Sequence, residues 1–267
     1  MRAKQAMVRG DLAGMLADAE RSLALFDGLG DPWGRLEAAD ALGRHAEITA
    51  DYERAAALRR AGLRLAEELG MWPEAAFRTA ELGRLALLAG DLGRARELHE
   101  RALRLAEELP SAYAEEFARI GLALVARREG DHGAAEAHLR ACLALLRRIG
   151  GRTGVAFATA QLGFVAEERG DAAAALALHR EALDAARSTG DPRAVALCLE
   201  GIAGARALAG HHAHAARLLG TAARMRASTG APLPPGERGD VDRIAAAARA
   251  ALGDGGFDAA LARGLEP

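Results

Sequence analysis

The chain has 267 residues, 51% of them hydrophobic but only 4% aromatic, so burial must rely on Ala and Leu at close helix–helix contacts rather than on a few large anchors. A formal net charge of −2 and a pI near 6.5 give no global pull toward nucleic acid or an anionic membrane. No run approaches the roughly 18 apolar residues of a membrane span, and the opening MRAKQAMVRGD lacks the apolar core of a secretory signal, so the chain reads as cytoplasmic.

Turn signals set the organisation from the N-terminus onward. Gly10, Ala50, Gly90, Gly130, Gly170 and Gly210 recur every 40 residues, and Asp11, Asp51, Asp91, Asp131 and Asp171 follow them, with His211 at the last. Gly30, Gly70, Pro110, Gly150, Gly190 and Gly230 fall midway. Glycine past a helix end takes the left-handed conformation without steric cost, and aspartate opening the next helix accepts its orphan N–H groups. The comb predicts helices of about 17 residues, or about 25 Å at 1.5 Å per residue.

The first half-unit, 1–30, begins inside a helix: Ala3 falls in the column of Gly43 and Gly83, while the next helix carries Leu12, Met15, Leu16, Ala19, Leu23 and Phe26 on one face. Half a hairpin cannot cover that face. The expectation is that the chain is either the terminal piece of a longer protein or associates through this end, as a two-fold dimer. Five full units follow, 31–70, 71–110, 111–150, 151–190 and 191–230. Leu42, Leu82, Leu122, Leu162 and Ile202 form an expected core column, followed by the small Gly43, Gly83, Ala123, Gly163 and Ala203, which let helices approach. Second helices repeat Ala55, Ala95, Ala135, Ala175 and Ala215. Cys142 stands in the small-residue column of Gly62, Ala102, Ala182 and Ala222 and reads as core. Residues 231–267 form a Pro-rich connector, a helix begun by Asp240 and ending near Leu252, a Gly-rich turn, and a short helix with Phe257 and Leu261 that covers the last apolar face.

Leu82, Gly83, Gly90, Asp91, Ala95 and Ala102 resemble the tetratricopeptide repeat, with Leu-Gly in the first helix, Gly-Asp at the turn and spaced alanines in the second. The resemblance covers about residues 11–230, with a period of 40 rather than 34 and few of the usual large aromatics. It implies an all-α fold, a right-handed superhelical solenoid of tetratricopeptide-like hairpins. The stretch from Cys198 to about Leu265, with RLLGTAARMRASTGAPLPP and GFDAAL, is similar to the C-terminal end of large bacterial ATP-binding transcription regulators, the LuxR-related and antibiotic-regulatory signal-transduction ATPases. In that family such repeats form a sensor arm.

The ATPase chemistry itself is not carried over: Lys4, the only lysine, has no glycine framework before it, so no phosphate-binding loop and no nucleotide or other cofactor is expected. No direct nucleic-acid contact is expected either, because the hairpin faces are committed to neighbours. His211, His212 and His214 lack a completing Cys or carboxylate and read as an exposed helix start rather than a metal site. No catalytic ordering of Ser, His, Asp or Cys is present, and no catalytic residue is assigned.

The resemblance places first helices on the concave side of the array. There Phe77, Arg84, Phe117, Ile120, Leu124, Arg127, Arg128, Phe157, Phe164, Glu167 and Glu168 form a candidate groove with an apolar floor and charged edges. Phe77, Phe117 and Phe157 equally fit packing between adjacent units. The expected function is a non-catalytic binding module for a peptide, protein segment or small effector in a bacterial transcription-regulatory system. The alternatives are a scaffold docking onto a biosynthetic or secretion enzyme, and an enzyme using the groove through Glu167 or Glu168.

Overall fold

The computed structural model describes residues 11–230 and 233–266. Among them lie twelve α-helices and no strand. The helices are α1 (Leu12–Leu29), α2 (Pro32–Ile48), α3 (Tyr52–Glu68), α4 (Trp72–Leu88), α5 (Leu92–Glu108), α6 (Ala112–Arg128), α7 (His132–Ile149), α8 (Arg152–Glu168), α9 (Ala172–Arg187), α10 (Pro192–Leu208), α11 (His212–Ser228) and α12 (Gly239–Leu265). Lys4 and the partial helix expected around Ala3 lie outside the described residues.

The turn comb works as its chemistry dictates. Asp11, Asp51, Asp91, Asp131 and Asp171 each accept the backbone N–H three residues on, at 2.8–3.2 Å. Gly90 sits at φ 84°, its N–H donating to Leu87 O while Asp91 N–H reaches Ala86 O, the paired bonds that close a helix C-terminus. Ala50, without glycine's freedom, is held at φ 62° in the same role.

Small residues then set the packing. Ala55, Ala95, Ala135, Ala175 and Ala215 are all fully buried, as are Ala102, Cys142, Ala182 and Ala222. The first-helix column Gly43, Gly83, Ala123, Gly163 and Ala203 is buried throughout. The leucine column is only partly so: Leu42 and Leu122 are buried, whereas Leu82, Leu162 and Ile202 are half-buried, correcting the expectation for Leu82 and Leu162.

What fills the space beside the small column is a second-helix position whose chemistry varies: Arg59, His99, Leu139, His179 and Leu219, all buried. Arg59 packs on Gly43, His99 on Gly83 and Gly121, and His179 on Gly163 and Gly201. Gly83, Gly121, Gly163 and Gly201 admit a ring that a methyl group would clash with, whereas at Gly43 a methyl would be a tight fit against the Arg59 guanidinium.

The chain divides into two compact units, Met1–Gly130 and Asp131–Pro267. The division falls inside the 111–150 repeat. In the second unit the C-terminal segment is part of the core: Ile244 of α12 packs with Phe164, Ala203 and Leu219, and Phe257 with Ala216 and Ala260. The break within α12 falls at Gly253 (φ 70°, ψ 166°), and Asp240 sits in the first turn, pairing with Arg243 at 3.0 Å, instead of capping.

Candidate functional site

In the first unit, charged residues occupy positions that the hairpin pattern reserves for apolar ones. Asp40 on α2 receives Arg59 Nη1 and Arg78 Nη1, each at 2.5 Å. Glu81 on α4 lies 2.9 Å from Arg59 Nη2, 3.0 Å from Arg78 Nη1 and 3.4 Å from Arg44 Nη2. Spacings of three and four residues put Arg78 beside Glu81, and Arg44 beside Asp40, on one helix face. Burial alone would raise Asp40, but Arg44, Arg78 and Arg59 outweigh it and hold the carboxyl well below its usual range. Burial pushes Glu81 up to about 7, against the pull of Arg59 and Arg78. Such a network contributes little net stability, since desolvation offsets attraction, but losing one member leaves an uncompensated buried charge. It also fixes geometry: Arg44, and Arg84 paired with Glu47, are anchored while about a quarter of each side chain stays in solvent.

Beside this network an apolar stripe runs along α6. Tyr113, Phe117, Ile120 and Leu124 follow one another at helical spacing; Tyr113 is 55% exposed and the other three are half-buried. Phe77 of α4 is buried beneath them, its ring 4.4 Å from that of Tyr113 and 5.4 Å, edge-on, from that of Phe117. Leu124 leans on Leu87, Ala95 and Val125. Arg127 is half-buried, and Arg128 donates Nη1–H to the carbonyl of Leu87.

The remaining candidates belong to the second unit, and the structure corrects several. Phe164 is 1% exposed, edge-on to His179 at 4.7 Å and covered by Ile244. Glu167 is buried and holds Arg243 at 2.5 Å. Phe77, Phe164 and Glu167 therefore belong to packing, not to an open groove. Phe157 is half-buried, and Glu168 lies 3.2 Å from His132 Nε2. His211 occupies the α11 N-cap position without a side-chain cap bond. No group of three His, Cys, Asp or Glu that could hold a metal ion occurs among the described residues. Cys142 and Cys198 are both buried, and burial pushes the Cys198 thiol up to about 12.

Sequence reasoning missed Tyr113, Arg44 and the network of Asp40, Arg59, Arg78 and Glu81. Their signal was present: Arg59 stands in a column otherwise of His and Leu, and Asp40 and Glu81 interrupt helix faces committed to neighbours.

Stacked antiparallel hairpins with interlocking small columns define a class, the tandem helical-hairpin array, whose fold is like that of tetratricopeptide-repeat proteins. Residues 115–188 match the tetratricopeptide repeat family model. Among solved structures the chain is similar to BtubC (BKLC) from P. vanneervenii, at 22% identity and TM-score 0.61 over 82% of this chain and 92% of that one. It is also similar to a kinesin light chain protein of nearly identical TPR-like repeats from Podosopora anserina, at 17% identity and TM-score 0.51, covering 73% of this chain and 96% of that one. A third likeness is to a Signal Transduction ATPase with Numerous Domains (STAND) protein with a tetratricopeptide repeat sensor from Pyrococcus horikoshii, at 13% identity and TM-score 0.59. That match takes in 90% of this chain but 36% of that one. At these identities the likeness is one of fold. No curated protein is significantly similar in sequence. No helix among the described residues is long and apolar enough to cross a membrane.

Proposed function

We propose that the chain is a non-catalytic binding module whose α6 stripe takes a peptide or protein segment, acting as a sensor arm in a bacterial transcription-regulatory system in the cytoplasm. The observation that carries this reading is the stripe itself: Tyr113, Phe117, Ile120 and Leu124 leave apolar surface in solvent at helical spacing, beside Arg44 and Arg84 pre-set by buried carboxylates. Fixed guanidinium groups lose little entropy on meeting a partner's carboxylate or carbonyl. The regulatory setting is supported by the resemblance of residues 198–265 to regulator C-termini and by the fold likeness to the STAND sensor. The reading includes association of a second copy at α1, where Leu25 and Leu29 are exposed.

Peptides selected from a displayed library on the purified chain, then titrated against Ile120→Asp and Arg84→Ala, test the site. Binding weakened by about tenfold or more in Ile120→Asp, with unchanged circular dichroism, is expected. Selected peptides indifferent to both substitutions would place the binding surface elsewhere. Titration with ATP and magnesium should give no saturable heat.

A further inference from the structure

The second unit holds a cleft of 560 Å³ between α7 and α9, with α8 as its floor. It involves none of the residues of the α6 stripe and is independent of the function proposed above. Its volume is within the range of about 300–1,000 Å³ typical of small-molecule sites. Leu143, Leu162, Val165 and Leu178 give it an apolar lining. Leu162 is half-buried, unlike Leu122 one repeat earlier, because its side chain faces this space.

The cleft exists because two side chains are short. Ala144 stands where three of the other repeats carry Arg64, Arg104 and Arg224, and Ala174 where two carry Arg54 and Arg94. Both alanines are part of the lining. An arginine stem at either place would lie over the apolar floor.

At one end the lining includes Thr159, which is 1% exposed and whose Oγ1 has no hydrogen-bond partner. Thr79 occupies the same column two repeats earlier, and its hydroxyl donates to the Ala75 carbonyl at 2.8 Å. A buried hydroxyl without a partner is costly, and a hydrogen-bond acceptor reaching it from the cleft would offset that cost.

Charge narrows the ligand further. Glu136 is shared by Arg140 and Arg169, each at 2.6 Å, Arg147 faces Glu181 at 3.6 Å, and Asp171 caps α9 through Ala174 N–H at 2.9 Å. The rim is thus neutralised from within and offers no unmatched charge to an ion. From Thr159 to the C-cap residue Arg169 the floor follows α8 to its end over ten residues, about 15 Å at the helical rise and enough for a chain of about ten carbons.

We propose that this cleft binds an uncharged, elongated apolar small molecule carrying one carbonyl or similar acceptor, with the carbonyl on Thr159 and the hydrocarbon along Leu143, Leu162 and Leu178. The test is calorimetric titration of the full chain with 2-nonanone, alongside Thr159→Val, Ala144→Arg and Ala144→Leu. Saturable binding is expected for the wild type, lost in both Ala144 variants and weakened roughly fivefold to tenfold in Thr159→Val, the worth of one hydrogen bond. Ala144→Arg restores a residue other repeats already hold, and unchanged helicity by circular dichroism confirms that each variant is folded. Absence of saturable heat with the wild type overturns the proposal, as does binding that survives either folded Ala144 variant. Equal affinity in Thr159→Val overturns the assignment of the hydroxyl.

Discussion

The imidazole of His99 lies where a side chain on Gly121 would begin: a Cβ there would fall 2.1 Å from His99 Cε1. His179 stands in the same relation to Gly201, also at 2.1 Å, one repeat pair further on. Ring and glycine are on successive hairpins, so this contact couples each repeat to the next. Gly121→Ala should therefore destabilise by about 1–3 kcal/mol through overpacking, and Gly201→Ala similarly. Urea unfolding of Gly121→Ala, His99→Ala and the double variant checks it: the double should cost less than the sum, because removing the ring makes room for the methyl.

His99 is also a buried base. Burial, with help from Arg84, lowers its pKa from 6.5 to about 3. The folded value lies below the unfolded one, so between these limits the unfolded chain binds more protons and stability falls as pH drops from 6.5 toward 3. His99→Leu, a residue the same column accepts as Leu139 and Leu219, should flatten the pH dependence by up to a few kcal/mol at pH 4. The difference between wild-type and variant curves isolates His99, since Glu81 contributes to both. Parallel curves would mean the imidazole is not held neutral by burial.

The repeat architecture was legible because each turn uses local chemistry, and an aspartate cap or a left-handed glycine depends on only a few neighbouring residues. The same holds for the small columns, whose spacing is fixed by the helix itself. The groove was less legible because exposure is decided by distant segments. Phe164 is covered by Ile244, and Glu167 is neutralised by Arg243, both returning from α12 after more than seventy intervening residues. Nor does helical periodicity show that Arg59 could enter the core; that requires Asp40 and Glu81 on two other helices to meet it.

Ala50 closes α2 where other repeats use glycine, and it does so at φ 62°. For an L-residue the left-handed region costs about 1–2 kcal/mol, partly offset by alanine's smaller unfolded-state entropy. Ala50→Gly should therefore stabilise the chain by about 0.5–1 kcal/mol. The check is the urea midpoint at constant slope. A lower midpoint would mean that the Ala50 turn does not resemble its glycine counterparts.

Leu122 and Leu162 share a repeat column but not an environment. Leu122 is 4% exposed, and Leu122→Ala should leave a cavity costing about 2–5 kcal/mol. Leu162 faces the cleft between α7 and α9, so truncation enlarges a space already open to solvent and loses less burial. Its cost should be closer to 1 kcal/mol, scaled by the apolar area it still covers. Unfolding curves of the two variants compare one chemical change at one repeat position, so a difference reports the surroundings alone. Equal costs would show that the leucine column is uniformly packed and that Leu162 does not line an open cleft.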